Sequence, residues 1–193
     1  MRKSFAFALC ALLTAAPISV IAQDSADTTT PDPSYLSLGS VEPQVGDTYV
    51  AEEFTDWELR CVRTEDGNDP CQLYQLLTDS DGNAVAEFNI FALPEGGQAV
   101  AGATVITPLE TLLTAQLRLN VDAGQVKRYP YSFCTQIGCF ARLGFTAPEI
   151  EEFKRGASAN VTIVAAGAPE QPVELSASLS GFTAGWNRLT GAE

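Results

Sequence analysis

Trp57-Glu58-Leu59-Arg60-Cys61-Val62 alternates large apolar and polar side chains, and Cys71-Gln72-Leu73-Tyr74-Gln75-Leu76-Leu77 follows it after a short acidic loop. A period of two puts Trp57, Leu59 and Cys61 on one face, the mark of a half-buried β-strand. One cysteine ends the first segment and another opens the second. The pattern recurs downstream, where Cys134-Thr135-Gln136-Ile137-Gly138-Cys139 lies between two more strand-like segments. Each couple suits either two neighbouring strands or one tight loop, because both arrangements bring the α-carbons within bridging range.

Working outward, the chain reads as short β segments separated by turn chemistry. Strands are expected over residues 45–54, 84–93, 99–107, 115–121, 125–133, 139–143, 159–165 and 173–179. Asp79-Ser80-Asp81-Gly82-Asn83, Pro94-Glu95-Gly96-Gly97 and Asp122-Ala123-Gly124 supply turns between them. Thr146-Ala147-Pro148-Glu149 is a capping box with proline early in a helix, and Gly156 stands where a C-terminal cap belongs. Phe182, Trp186 and Leu189 at helical spacing predict a short terminal helix. Eight to ten strands with few helices point to a mostly β fold, an antiparallel β-sandwich with one or two short helices.

The start of the chain reads as an export signal. Arg2 and Lys3 precede an uncharged apolar run broken by Pro17, and Val20-Ile21-Ala22 fits a cleavage site after Ala22. Residues 1–22 are therefore expected to be a signal peptide, and Cys10 falls inside its apolar segment. Residues 23–43 form an acidic linker rich in proline and threonine. Residues 44–193 form one β domain. No stretch after residue 22 is long and apolar enough to cross a bilayer as a helix.

Loss of residues 1–22 leaves 9 basic residues against 24 acidic ones, a formal charge of −15. Such a surface repels phosphate backbones, which argues against nucleic acid as a partner. Export and four remaining cysteines favour disulfides. Of the three possible connectivities, the local one, Cys61–Cys71 with Cys134–Cys139, is favoured. The four-residue spacer between Cys134 and Cys139 is longer than the two-residue spacer of thioredoxin-like redox sites.

The chain contains no histidine, so the commonest general base and metal ligand are both missing. No metal site and no cofactor are expected. The 79–83 loop lacks the glycine and glutamate positions of a calcium loop. Glu149, Glu151 and Glu152 offer a carboxylate pair for hydrolysis on paper, but negative charge in a first helical turn is explained by the helix dipole. Trp57 and Trp186 are candidate anchors, either of the core or of an interaction surface.

Several segments then match one family in order. Phe54-Thr55-Asp56-Trp57-Glu58-Leu59-Arg60-Cys61 and Pro70-Cys71-Gln72-Leu73-Tyr74-Gln75 resemble the opening of the invasion-associated locus B family of alphaproteobacteria. Thr107-Pro108-Leu109, Leu119-Asn120-Val121-Asp122, Tyr131-Ser132-Phe133-Cys134, Gly138-Cys139-Phe140-Ala141 and Leu179-Ser180-Gly181-Phe182 continue the resemblance to about Leu189. Two features depart from it. Thr114-Ala115-Gln116 stands where the family pattern carries a glycine, and the acidic linker is unlike the compact family start. The resemblance implies an exported, disulfide-bonded β-sandwich in the periplasm or at the cell surface, with a part in host-cell entry where the bearer is a pathogen. It implies no catalytic residues.

The function expected from all this is a non-catalytic interaction module of the cell envelope, with an envelope or host protein as partner. The alternatives are a sandwich that binds a small ligand and, further off, a hydrolase built on carboxylates.

Overall fold

The computed structural model describes Gly39 and residues 41–192. The expected signal peptide, Cys10 and most of the 23–43 linker lie outside the described residues. A compact unit begins at Val41.

Eleven strands and two helices are found among the described residues. The strands are β1 Thr48–Phe54, β2 Trp57–Val62, β3 Cys71–Thr78, β4 Ala84–Ala92, β5 Ala101–Thr107, β6 Leu117–Val121, β7 Lys127–Tyr129, β8 Tyr131–Thr135, β9 Gly138–Phe145, β10 Ser158–Val164 and β11 Pro172–Ser178. The helices are α1 Ala147–Arg155 and α2 Phe182–Thr190. Seven strands form one sheet in the order β1-β2-β3-β4-β5-β9-β8, and four form a second in the order β11-β10-β6-β7. Every pairing is antiparallel. The sequence reading of a mostly β sandwich with one or two short helices describes this architecture.

The two-residue period decides which faces meet. Leu59, Leu73, Leu77, Phe88, Ile90 and Val105 of the larger sheet are buried, as are Leu117, Leu119, Val161, Ile163 and Leu175 of the smaller one. The helices close the core with aromatic rings. Trp57 packs edge-on against Phe88 and Phe182, with centroids 5.7 and 5.4 Å apart. Phe153 of α1 lies 5.0 Å from Phe145 and 5.4 Å from Phe182. Such contacts add to area burial by about 0.5–1.5 kcal/mol each. Two polar side chains of the core share one acceptor. The Trp57 indole N–H donates to the Ser178 carbonyl at 2.8 Å, and the Gln75 amide donates to the same carbonyl at 3.0 Å. These two bonds tie the larger sheet to the end of β11.

Two sequence expectations need correction. Residues 125–133 are not one strand. Pro130 breaks them into β7, in the smaller sheet, and β8, in the larger one. Proline cannot donate to a ladder, so it suits the crossing point between sheets. Gly156 does not adopt the left-handed cap conformation, since its φ is −74° and its ψ is 163°. It is glycine for room, because a Cβ there would collide with Val121 and Leu179. Left-handed glycines flank α2 instead: Gly191 caps its end with φ 68°, and Gly181 precedes its start with φ 85°. A side chain at position 181 would run into the Phe54 carbonyl.

Candidate functional site

The cysteine couples staple strands of one sheet. Cys61 and Cys71 sit directly opposite each other on β2 and β3, with α-carbons 4.1 Å apart and an S–S bond. Cys134 and Cys139 do the same on β8 and β9, at 4.0 Å. Cys61 and Cys139 are buried, whereas Cys134 is exposed at the sheet margin. The loop inside the first couple is organised by Asp69. It accepts bonds from the Tyr49 hydroxyl at 2.6 Å, the Arg63 guanidinium at 2.8 Å and the Thr64 N–H at 2.8 Å. The Tyr49 bond, followed by the Thr64 N–H, holds the Asp69 carboxyl below its ordinary range.

The tryptophans lie inward. Trp57 is 1% exposed and Trp186 is 6% exposed, the latter stacked on Phe182 at 6.0 Å. The carboxylates considered for hydrolysis are occupied by local work. Glu149 accepts the Thr146 N–H and hydroxyl at 2.9 and 2.7 Å and pairs with Lys127. Burial pushes its carboxyl up, but the Lys127 and Thr146 bonds outweigh this and leave it below its ordinary value. A general acid needs the opposite shift. Glu151 pairs with Lys154. In the 79–83 loop, the Asp79 carboxylate accepts the N–H groups of Asp81 and Asn83, each at 2.9 Å, which is a turn held by its own side chain.

What the sequence reading did not single out is the outer face of the larger sheet. The strand registers align Leu76, Glu87, Ile106, Phe140 and Phe133 in one row across β3, β4, β5, β9 and β8. Four of these five are apolar on a face turned away from the core. Leu76 is 47% exposed and Phe133 is 40% exposed. Phe133 stacks on Phe140 with centroids 4.8 Å apart, and the Arg142 guanidinium sits 5.1 Å from the Phe133 ring. Ile137, at the tip of the β8–β9 hairpin, is 75% exposed. Its side chain borders a shallow depression of about 280 Å³ with Leu76, Val85, Ile106 and Pro108. Gly138 places that tip. Its φ is 150°, and a Cβ there would lie 2.5 Å from the Thr107 carbonyl oxygen.

The row ends on β8, the margin of the sheet. Tyr131-Ser132-Phe133-Cys134-Thr135 carries no charge, and four of its five residues are exposed. The opposite margin, β1, carries Glu52 and Glu53 and a register shift, the usual defences of an open edge. Periodicity could show that Leu76, Ile106, Phe133 and Phe140 share faces within their strands. Only register shows that they line up.

A second concavity lies between the 93–100 segment and the helices. It has a volume of about 500 Å³ and is bordered by Leu93, Pro94, Val100, Ile150, Trp186 and Leu189. Among the described residues no group of histidine, cysteine, aspartate or glutamate side chains is placed to hold a metal, and no helix is long and apolar enough to cross a membrane.

Residues 57–190 match the model of the family described as invasion associated locus B protein. The chain belongs to this family. Two Brucella abortus proteins called invasion protein B homologues, from strain 2308 and from biovar 1 strain 9-941, are each 28% identical to it over 158 residues, covering 81% of this chain and 88% of theirs. The crystal structure of invasion associated protein B from Bartonella henselae shares the fold, with a TM-score of 0.62 at 23% identity, covering 72% of this chain and 94% of that one. The invasion-associated locus B segment thus takes in both cysteine couples, the whole Leu76–Phe133 row and both helices.

Proposed function

We propose that this member of the invasion-associated locus B family is an exported, non-catalytic interaction module of the cell envelope, and that it takes a protein partner on the outer face of its seven-stranded sheet. The observation that carries this reading is the row Leu76–Glu87–Ile106–Phe140–Phe133, apolar at all but Glu87, which runs to an uncharged edge strand and is extended by Ile137. Contiguous apolar surface on a soluble domain marks an interaction site. A free edge adds backbone donors and acceptors for a partner strand. Arg142 beside Phe133 supplies a cation at the rim of a chain whose net charge is −13.

Export is supported by the basic and apolar start of the chain and by the two disulfides, which persist in oxidising compartments. A role in host-cell entry, which the names of the Brucella and Bartonella relatives carry, applies here where the source is a pathogen. The test is a photoreactive residue at position 133 in intact cells, expected to give an adduct with an envelope protein, against a control at Thr162 on the smaller sheet, expected to give none.

A second reading, a small apolar ligand in the groove beside Trp186, has the groove's volume in its favour, since ligand pockets span roughly 300–1,000 Å³. A thermal-shift screen of periplasmic metabolites without a stabilising hit would end it.

A further inference from the structure

The outer face of the smaller sheet poses an electrostatic problem. Arg118 on β6 and Arg128 on β7 are directly opposite each other. Both lie on the solvent side, since Leu117, Leu119 and Tyr129 take the core side of the same strands. Like charges in facing positions of an antiparallel pair oppose folding. Among the described residues neither arginine has a carboxylate within ion-pair distance, although the chain carries 24 acidic residues. In a protein with 11 basic residues in all, two are set face to face and left unneutralised.

Their neighbours are polar, and two of them are held in place. Thr162 of β10 is opposite Arg118, and the row ends on the exposed Glu174 of β11; the next row reads Asn120, Asn160, Ser176 across β6, β10 and β11. The side-chain amides of Asn120 and Asn160 both donate to the Asp122 carbonyl, which orients the two groups. Their amide oxygens are left without a donor among the described residues. The face therefore offers two guanidinium forks at its β6–β7 end, two amide oxygens and two hydroxyls, with the Glu174 carboxylate at the far, β11 end of the arginine row.

We propose that this face binds an acidic polysaccharide, with Arg118 and Arg128 taking its carboxylate groups and Asn120, Asn160, Thr162 and Ser176 its hydroxyls. Guanidinium forks match carboxylates bidentately and form the stronger class of hydrogen bond. Amide and hydroxyl groups exchange hydrogen bonds with sugar hydroxyls in both directions. The face carries no aromatic ring on which a nucleic-acid base would stack. The site is on the opposite sheet from the proposed protein-docking row, and either can fail without the other.

The experiment uses the purified chain and alginate, a polyuronate, with neutral dextran and poly-glutamate as comparisons at low ionic strength. Saturable binding to alginate alone is expected. Arg118→Gln and Arg128→Gln should each weaken it by about tenfold. Their thermal midpoints should equal or exceed that of the unaltered chain, because the repulsion is relieved. Arg142→Gln, on the other sheet, should leave binding unchanged. Four results overturn the proposal: no saturable binding to alginate, binding undiminished in both variants, an equal loss in Arg142→Gln, or equal affinity for poly-glutamate, which would make the ligand an acidic protein.

Discussion

At the scale of single residues, Gln116 carries the clearest conflict between side chain and backbone. Its φ is 58° and its ψ is 155°, a region that essentially only glycine occupies without strain. The resemblance leads to the expectation of a glycine within Thr114-Ala115-Gln116. The cost of such a conformation is about 1–3 kcal/mol, offset in part by the extra freedom glycine has when unfolded. Gln116→Gly should therefore raise stability by about 1 kcal/mol in urea denaturation, and a loss of stability would show that the side chain does work elsewhere. Tyr129 gives a prediction in pH. Its hydroxyl is buried without a hydrogen-bond partner among the described residues, and burial, helped by the Glu149 charge, pushes its pKa up from 10.0 to about 12. A pKa higher in the folded than in the unfolded chain means that stability is fully present below about pH 10 and is lost as the pH climbs towards 12. Tyr129→Phe should fold at least as well at neutral pH and should lose less stability over that alkaline interval. Identical alkaline slopes for the two proteins would count against this placement of the hydroxyl.

At the scale of elements, the two bridges are predicted to act differently. Cys61–Cys71 spans 10 residues and joins strands well inside the larger sheet. Replacing both cysteines by serine should cost about 2–3 kcal/mol by loop-closure entropy. Cys134–Cys139 spans 5 residues and pins the edge strand β8 to β9. Its removal should cost about 2 kcal/mol and should speed hydrogen exchange at the β8 amides more than elsewhere. Uniform exchange across the sheet after removal of the second bridge would contradict this. Most strand positions were legible because period two, turn residues and cysteine placement agree within each segment. The split at Pro130 was not, since the residues on both sides of it favour strands and the choice between sheets is made by tertiary pairing. Gly156 misled for a related reason. Its position at a helix end has the usual sequence signature of a left-handed cap, while its actual constraint comes from Val121 and Leu179, distant in sequence.

At the scale of the whole molecule, the fold divides labour between its two sheets. The larger sheet covers the core with one face and exposes an apolar row on the other, ending at a bare edge. The smaller sheet covers the same core and exposes a polar face with an unneutralised arginine pair. Composition announced the acidic surface, but composition averages over the molecule and so hides both exceptions to it. Leu76, Glu87, Ile106, Phe140 and Phe133 become one feature only when five strands are in register. The candidate site was therefore invisible to reading along the chain, whereas the staples beside it were plain. The central claim is that partners are met at this row. A photo-cross-linking scan in intact cells, with the reactive residue placed in turn at positions 76, 106, 133 and 137 and at 162 and 176, tests it most directly. The account predicts one protein adduct shared by the first four positions and absent from the last two. No adduct from the row, or equal yields from both sheets, would contradict it.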